Sequence, residues 1–374
     1  MYDALALAFV YVHLEGLFCN TSASLAQLGE RRTFNPVVAG SSPVRGTGDF
    51  RNIYKKMCKS EECTTILGQM QAFLQSLPTE ETFRNSVTHP NLSKLITVDQ
   101  LLRFRNKLRK DSSSTHHYFN EFKEQPIQFW CTYKRDTSGQ FRLWKITHNS
   151  ISGRVPGYAD RILAYNMDGT NYKVERCLGS DHAPVSMTIT RHYNGKKVPN
   201  VQQIKIISFN TASTRPAVLN VLDLIKTEKE AARNKVVFIL CVQEIDSSLH
   251  NLLTTHKGAN DKALLYGEIS TPLFKWHGFR LGIYCTLPQI IRDTNTESFE
   301  MFHQWSPRAH TKGFMWVDVQ IKNCKFLLIN AHCPPFGKET EESWKKLDAF
   351  TQDKINNGQE AIVICGDLNS RSAI

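Results

Sequence analysis

Short apolar runs and longer amphipathic stretches alternate along the second half of the chain. The runs IKIISFN (204–210) and KVVFILCVQE (235–244) flank RPAVLNVLDLIKTEKEAA, in which apolar residues recur at three- and four-residue steps. Four further runs follow: RLGIYCTL, GFMWVDVQI, KFLLINAH and EAIVICGDLN. Continuous apolar runs are typical of strands covered on both faces, and strands that alternate with helices indicate a layered fold. The pattern therefore predicts an α/β architecture.

The first half has a different order of elements. Charged segments with helical spacing, such as TTILGQMQAFLQSL and LITVDQLLRFRNKL, fill residues 49–108, and the strand-like runs QPIQFWCTYK, FRLWKI and DRILAYNM follow. Asn194-Gly195, a dipeptide favoured in tight hairpins, then lies between two strand-like segments, whereas Pro199 and its polar neighbours are typical of a linker. Residues 196–203 are thus either a hairpin or a linker between a first half, 47–195, and a second half, 204–374.

Residues 1–46 differ from the rest of the chain. The apolar stretch LALAFVYV is too short to span a bilayer, and Asp3 stands where a signal peptide needs a basic residue. The following TSASLA leaves a secretory signal open as an alternative. The string LAQLGERRTFNPVVAGSSPVRG resembles conceptual translations that run across transfer-RNA genes. We therefore expect this segment to be a non-native or disordered leader.

Length and charge restrict the domain count and the class of partner. A chain of 374 residues is long enough for one large domain or two ordinary ones. Its formal charge of +11 and pI near 9.1 favour an anionic partner: nucleic acid, an anionic membrane surface or a polyphosphorylated small molecule. Most of the ten cysteines, such as Cys241 and Cys365, lie inside apolar runs, which indicates reduced, buried thiols of an intracellular protein.

Ionisable and amide residues stand at the ends of strand-like runs in both halves. They are Asp160, Asp181 and His182 in the first half, and Asn210, Glu244, His332, Asp367 and Asn369 in the second. A carboxylate at the end of a buried strand is costly unless it meets a cation or a hydrogen-bond donor. Carboxylate and amide oxygens suit Mg²⁺, which also binds substrate phosphate. The repeated arrangement predicts a shared divalent cation at one edge of a sheet.

Each of these residues, taken alone, has an ordinary structural interpretation. Asn210 can be a turn former after a strand, and His332 can be a loop histidine. Asp367 in CGDLN can cap a helix or form a turn, and Asp181 and His182 can cap or bridge. The repetition of one arrangement at six strand ends favours a functional site.

Eight short strings lie at these strand ends and in the loops between them. They are ISFN, VQEID, TKGFMWVDV, INAHCP, ICGDLNSR, IQFWCTYK, RVPGYADRIL and SDHAPV. Together, over about residues 92 to 371, they resemble the motif series of the inositol polyphosphate 5-phosphatases, within the endonuclease/exonuclease/phosphatase superfamily. The resemblance implies a DNase I-like, four-layer α/β sandwich, in which two packed mixed β-sheets are flanked by helices.

The motifs depart from that family at pocket walls and in their order. Tyr158-Ala159 stands in place of Trp-Cys, Cys131 in place of proline and Ser370 in place of an aromatic residue, which affects substrate fit more than reaction type. The block from ISFN to GDLN comes first in the family, but here it follows the block with TYK, DRIL and SDH, and each motif occurs once. A circularly permuted single domain and a slice through two tandem domains both fit this order.

The resemblance also implies roles for the site residues. Glu244 would be the main Mg²⁺ ligand, with Asn210 and Asp181 near the metal. Asp367 would accept a proton from the attacking water, and Asn369 would hold that water in line.

The remaining roles concern the phosphoryl group and the substrate. His182, oriented by Asp160, would contact the phosphoryl oxygens as a cation, and His332 would add a further contact. The residues expected to bind substrate phosphates are Tyr133, Lys134, Arg154, Arg161 and Arg371. Lys134 alone could also be a solvated lysine at a strand end.

These roles predict a Mg²⁺-dependent phosphatase that hydrolyses the 5-phosphate of a phosphoinositide headgroup or a soluble inositol polyphosphate by metal-assisted attack of water. Such an enzyme would be cytoplasmic and would contact anionic membrane surfaces peripherally, without a transmembrane segment. The alternatives are a catalytically incomplete fragment of a tandem phosphatase and a nuclease of the same superfamily. The charge of +11 would allow a nuclease, but the TYK and DRIL motifs argue against nucleic acid.

Overall fold

Most of the described strands and helices lie between residues 145 and 367. A computed structural model gives the fold and describes residues 72–89, 92, 101, 119, 121–142, 145–147, 150–152, 157–190, 192–193, 196–197, 203–233, 235–258, 261–270, 280–288, 299–301, 312–321, 324–335 and 337–370. All of them belong to one compact unit, Lys55–Ile374. The predicted leader, 1–46, and most of the predicted helical region, 49–108, lie outside the described residues.

The element bounds follow the chain order. Among the described residues, the helices whose two ends are defined are α1 (Thr79–Thr82), α2 (Arg215–Ala231), α3 (Ser247–Thr255) and α4 (Gly337–Asn356). The strands of the first half are β1 (Lys145–Thr147), β2 (Ser150–Ser152), β3 (Asp160–Tyr165), β4 (Asp168–Val174), β5 (Val185–Thr190) and β6 (His192–Tyr193). The later strands are β7 (Lys196–Lys197), β8 (Gln203–Asn210), β9 (Val236–Ile245), β10 (Tyr266–Ile269), β11 (Arg280–Cys285), β12 (Phe299–Met301), β13 (Gly313–Ile321), β14 (Cys324–His332) and β15 (Ile362–Asp367).

Two mixed sheets form the centre of the fold. One has the strand order β10-β11-β9-β8-β5-β4 and the other has the order β12-β13-β14-β15-β3. They pack face to face on a shared apolar core, to which Ile206 and Ile239 contribute from the first sheet and Val317 and Val363 from the second. The outer face of the first sheet is covered by α2 and α3, and that of the second by α4. The predicted α/β sandwich of two packed mixed sheets is confirmed.

Burial on both faces explains the continuous apolar runs. In β8, Ile206 belongs to the core between the sheets, whereas its neighbours Ile207 and Phe209 pack in the cluster beneath α2. Successive side chains of a strand point to opposite faces, so both sets of positions must be apolar. Two helices start at side-chain caps: Thr214 Oγ1 accepts a hydrogen bond from the N–H of Ala217 at 3.4 Å before α2, and Asp246 Oδ1 accepts from the N–H of Leu249 at 2.8 Å before α3.

The strand ends that carry polar residues lie at one edge of the sandwich, which we call the polar edge. β8 runs parallel to β9, and β14 runs parallel to β15, so the carboxyl ends of each pair lie side by side. β3 runs antiparallel to β15, which pairs Asp160 with Asp367 in register. β5 begins beside the end of β8, where Val185 pairs with Ser208. Six strand termini therefore meet at this edge: the ends of β8, β9, β14 and β15 and the starts of β3 and β5.

Strands from the two halves of the sequence share both sheets. β3 is the neighbour of β15 in the five-stranded sheet, and β5 lies between β4 and β8 in the six-stranded sheet. Between β5 and β8, the short strands β6 and β7 pair antiparallel, with Tyr193 opposite Lys196. Asn194 and Gly195 themselves lie outside the described residues.

The segment 125–134 corrects one strand prediction. QPIQFWCTYK forms no regular strand, because its backbone groups bond to several different segments. The carbonyl of Gln128 accepts from the N–H of Val87 at 2.8 Å, and the carbonyl of Thr132 accepts from the N–H of Ala183 at 2.8 Å. Isolated bridges join this segment to its neighbours instead. The segment thus connects the end of the first sheet to the polar edge.

A buried carboxyl group on α4 makes the stability of the fold sensitive to pH. Asp348 accepts a hydrogen bond from the N–H of Phe119 at 2.5 Å, and burial raises the pKa of its carboxyl to about 7. Because the folded chain then binds a proton that the unfolded chain has already lost, the free energy of unfolding falls as pH rises from about 4 to about 7.

Asp348→Asn is expected to remove this part of the pH dependence while keeping an oxygen that can accept from Phe119. Between about pH 5 and about pH 8 the wild-type chain should lose about 2 kcal/mol more free energy of unfolding than the variant. Urea unfolding at both pH values measures the difference. Asp353→Asn changes an exposed residue of the same helix and is the control. Equal pH dependence in Asp348→Asn and the wild type would contradict the assignment.

Candidate active site

A buried chain of carboxyl and imidazole groups crosses the polar edge. Asp160 at the start of β3 lies 2.8 Å from His182 Nδ1, and His182 Nε2 lies 3.8 Å from Asp367 Oδ2 at the end of β15. Burial lowers the pKa of His182, but the negative charges of Asp160 and Asp367 outweigh it and raise that pKa to about 9. His182 is therefore a cation at neutral pH, held against the ring of Tyr133 with centroids 4.5 Å apart.

Asp367 contacts more of the predicted site residues than its neighbours do, through both of its carboxylate oxygens. Its Oδ2 accepts a hydrogen bond from Asn210 Nδ2 at 2.9 Å and lies 3.3 Å from His332 Nε2, and its Oδ1 accepts from the N–H of Asn369 at 3.0 Å. Burial raises the pKa of this carboxyl, but His182 and His332 lower it more, so that it lies well below its usual range. Asp367 is therefore ionised.

Glu244 is a second carboxylate that lies close to His332. Its Oε1 is 3.5 Å from His332 Nε2 and 3.4 Å from Lys312 Nζ. Burial raises the pKa of its carboxyl, but His332 and Lys312 lower it below the ordinary value. The backbone of Glu244 has a φ of 56°, a left-handed conformation that is strained for a residue other than glycine.

The surrounding loops hold that strained backbone in place. The carbonyl of Glu244 accepts from Ser213 Oγ at 2.6 Å and from Thr211 Oγ1 at 3.0 Å. The loop after β8 is fixed in turn, because Asn210 Oδ1 accepts from the N–H of Ala212 at 3.0 Å and its carbonyl accepts from Ser180 Oγ at 2.7 Å. Strain held by such contacts is typical of functional positions.

His332 is the neutral imidazole of the site. It is 1% exposed. Burial and the nearby Lys312 lower its pKa, although Asp367 and Glu244 act in the opposite direction. His332 therefore offers hydrogen-bonding nitrogens and no charge, in contrast to His182.

An open cleft of about 690 Å³ gives access to these groups. Lys134 and Tyr133 line it, and Lys134 Nζ lies 3.3 Å from Asp181 Oδ2. The segment that carries them is anchored by Arg135, which is fully buried between the rings of Phe83 and Phe141 at 4.5 and 4.6 Å. The packing of Arg135 therefore fixes the backbone that places the neighbouring Lys134 at the cleft.

A family comparison identifies the first half of the chain. The model of "Endonuclease/Exonuclease/phosphatase family 2" matches residues 2–188, half of the chain. The chain belongs to the endonuclease/exonuclease/phosphatase family. Enzymes of this family hydrolyse phosphoesters and commonly use divalent metals. No curated protein matches the sequence.

Solved structures with partial similarity include both DNA-bound and phosphatase proteins. D. rerio TDP2 complexed with a single-strand DNA product is 15% identical over 45% of this chain and 61% of that one, with a TM-score of 0.33. Truncated Caenorhabditis elegans TDP2 is 16% identical over 44% and 62%, with a TM-score of 0.29. The Bacteroides thetaiotaomicron mannosyl-6-phosphatase Bt3783 is 15% identical over 43% and 61%, with a TM-score of 0.28. The chain thus spans about three fifths of the length of these proteins.

The residues expected from the strand ends converge in this endonuclease/exonuclease/phosphatase chain. Asp160, Asp181, His182, Asn210, Glu244, His332, Asp367 and Asn369 all lie at the one polar edge, and Tyr133 and Lys134 line its cleft. Arg154 and Arg371 lie outside the described residues. Of the described helices, none is long and apolar enough to cross a membrane.

Arg161 does not belong to the site, which corrects its prediction as a substrate ligand. It is fully buried, and its Nε and one terminal nitrogen each lie 2.5 Å from an oxygen of Glu124. Because neighbouring side chains of a strand point to opposite faces, Asp160 faces His182 and Arg161 lies on the other face of the sheet. Its charge is neutralised inside the protein and cannot reach a substrate phosphate.

Two cations of the cleft were missed by the sequence analysis. Lys312 contacts Glu244 and His332, and Arg142 lines the cleft near Lys134. The signal for Lys312 was the string TKGFMWVDV: β13 runs antiparallel to β14, so the start of β13 lies beside the end of β14, with Gly313 opposite His332. Arg142 lies in an exposed segment after an isolated bridge and had no comparable signal.

The chemistry of the oxygen donors fits a hard divalent cation. The described residues contain no group of three or more His, Cys, Asp or Glu side chains arranged to enclose a metal ion. Mg²⁺ usually needs only one or two carboxylates, since waters and substrate phosphates complete its shell. The ionised carboxylates of Glu244 and Asp367, with the Asn210 amide beside them, meet that requirement.

Proposed function

We propose that this chain is a Mg²⁺-dependent phosphatase that removes the 5-phosphate from a phosphoinositide or a soluble inositol polyphosphate. The observation that carries the proposal is the contact network around Asp367. It joins His182 and Asp160, from one motif block, to Asn210 and His332, from the other. These are ionisable and amide groups of the phosphatase-like motifs, and the TYK motif lines the same cleft.

The side chains around Asp367 suit hydrolysis of a phosphate monoester. This reaction needs a positioned water and neutralisation of the charge on the transferred phosphoryl group. Asp367 is ionised and can accept a proton from the water, which Asn369 would hold in line. His182 is a cation that can bind phosphoryl oxygens, and Asp160 fixes its ring. His332, which is neutral, would contribute a hydrogen bond.

A bound Mg²⁺ would stabilise negative charge on the phosphoryl oxygens and the leaving oxygen. Glu244 would be its main ligand, with Asn210 beside it and Asp181 at the mouth of the cleft. Glu244 is ionised, its backbone is held by hydrogen bonds to its carbonyl, and its carboxylate already lies beside the cation of Lys312.

Substrate selection would rest on the cations at the cleft entrance. Lys134 and Tyr133 would hold a second phosphate of the inositol ring, together with Arg154 and Arg371. Such a substrate, and the charge of +11, support peripheral contact with anionic membrane surfaces in the cytoplasm. The TYK and DRIL motifs favour an inositol phosphate over nucleic acid as the substrate.

We also propose that residues 47–195 and 204–374 are the two halves of one circularly permuted domain. The pairing of β3 with β15 and of β5 with β8 supports this proposal, since each pair joins one half to the other. The antiparallel pair β6 and β7 supports a direct turn between them. A slice of two tandem domains would instead need a second chain to complete the site.

The function is tested with the full chain purified as a monomer. Orthophosphate release is measured from a phosphoinositide with phosphates at positions 4 and 5 and from a matched isomer with phosphates at positions 3 and 4, each with Mg²⁺ and with EDTA. We expect release from the first lipid alone, and only with Mg²⁺. A single-stranded oligonucleotide serves as the nuclease substrate.

The outcomes separate the competing functions. Cleavage of the oligonucleotide without release from the lipid would show a nuclease. A folded monomer that is inactive on all three substrates would overturn both the enzyme and the permuted domain as a working unit.

A further inference from the structure

Lys312, the lysine of the string TKGFMWVDV, is a cation that lines the cleft and for which the sequence predicted no role. Its Nζ lies 3.4 Å from Glu244 Oε1 and makes a close contact with Nε2 of His332. Only 12% of its side chain is exposed. It lies at the start of β13, where antiparallel pairing with β14 places it beside the strand end that carries His332.

The pairing of charges in the site indicates how Lys312 would affect a bound metal ion. Asp160 is paired with His182, Asp181 with Lys134, and Glu244 with Lys312. A divalent cation on Glu244 would share that carboxylate with the ammonium of Lys312, and the two like charges would repel. An anionic phosphoryl group in the cleft would relieve the repulsion, because it attracts both cations.

We propose that Lys312 is a further catalytic residue, which opposes binding of the metal ion alone and binds the phosphoryl oxygens of the substrate beside it. The proposal rests on the proposed function for the identity of the phosphoryl group. Binding of the metal and of phosphate would then be coupled through one side chain, and the coupling must be reciprocal. A metal ion held without phosphate would be disfavoured, and the two together would be favoured.

Lys312→Gln tests the proposal by two affinities that should change in opposite directions. Calorimetry with Mg²⁺ alone should show an affinity about threefold tighter than that of the wild type, because a repelling charge is gone. Titration of inorganic phosphate in saturating Mg²⁺ should show an affinity about tenfold weaker, because a charge-assisted hydrogen bond is lost. Lys312→Arg, which keeps the charge and the donors, should restore phosphate binding.

The controls separate this role from a structural one. Lys235→Gln changes an exposed lysine just before β9 and should leave both affinities unchanged. If Mg²⁺ and phosphate both bind more weakly in Lys312→Gln, or if neither affinity changes, the proposal is wrong. Should the glutamine variant fail to fold, Lys312→Met is measured in its place against the same two expectations.

Neither affinity measurement requires hydrolysis of a substrate. The role of Lys312 and the proposed phosphatase function can therefore be rejected independently. Opposite shifts in a chain that hydrolyses no phosphoinositide would support the role of Lys312 and reject the proposed substrate. Hydrolysis of the 5-phosphate together with unchanged affinities in Lys312→Gln would support the substrate and reject the role of Lys312.

Discussion

Asp367→Asn is expected to lower the rate of phosphate release by about 10³-fold while the chain stays folded. The amide is similar in shape to the carboxylate but cannot accept a proton from water, and the substitution removes the negative charge that attracts the His182 cation and lies 3.3 Å from His332 Nε2. The measurement is orthophosphate release at saturating substrate and Mg²⁺. Circular dichroism and urea unfolding of the variant establish that loss of activity is not loss of structure.

Asp318→Asn is the matched control for this variant. Asp318 is an exposed aspartate of β13 in the same sheet, so its substitution should leave the rate within about twofold of the wild type. If Asp367→Asn retains more than about a tenth of the wild-type rate, Asp367 is not the proton acceptor. The contacts around Asp367 would then serve to position His182 and Asn210.

Arg161→Met is expected to lower the free energy of unfolding by about 3–5 kcal/mol. The substitution removes the guanidinium that contacts both carboxylate oxygens of Glu124, and that carboxylate is only 6% exposed. Urea unfolding measures the loss. The double variant Arg161→Met, Glu124→Met should recover most of it, because an apolar pair of similar volume replaces both charges.

An exposed ion pair supplies the comparison for this effect. Lys345 and Glu341 on α4 lie 3.1 Å apart, with 46% and 47% of their side chains exposed. Lys345→Gln should change the free energy of unfolding by no more than about 0.5 kcal/mol, because water and salt screen the pair. A loss below about 1 kcal/mol in Arg161→Met would contradict the assignment of Arg161 to a buried structural pair.

The clustering of the strand-end residues could be predicted because strands that follow one another in sequence, with a helix between them, tend to lie side by side and parallel in a sheet. Asn210 and Glu244 end consecutive apolar runs separated by one helix, and such runs form parallel neighbours whose carboxyl ends coincide. His332 and Asp367 are related in the same way through α4. This geometry is the physical reason why the cluster predicted at one edge of a sheet forms, although no helix between KFLLINAH and EAIVICGDLN was predicted.

Alternation within a strand would have corrected one prediction in advance. Asp160 and Arg161 are adjacent in β3, so they cannot both face the cleft. Since Asp160 contacts His182 in the site, Arg161 had to lie on the other face. The segment 125–134 offered no such correction, because its backbone partners come from residues distant in sequence.

By itself, the sequence determined the α/β class, the strands that end in polar residues and the chemistry those residues can perform. These properties depend on the period of apolar positions and on residue type, which are local. Only the tertiary structure decided that β3 lies against β15, that Asp367 joins the two motif blocks and that Lys312 shares Glu244. Strand order, register and the burial of charge depend on contacts between distant residues, and no local pattern specifies them.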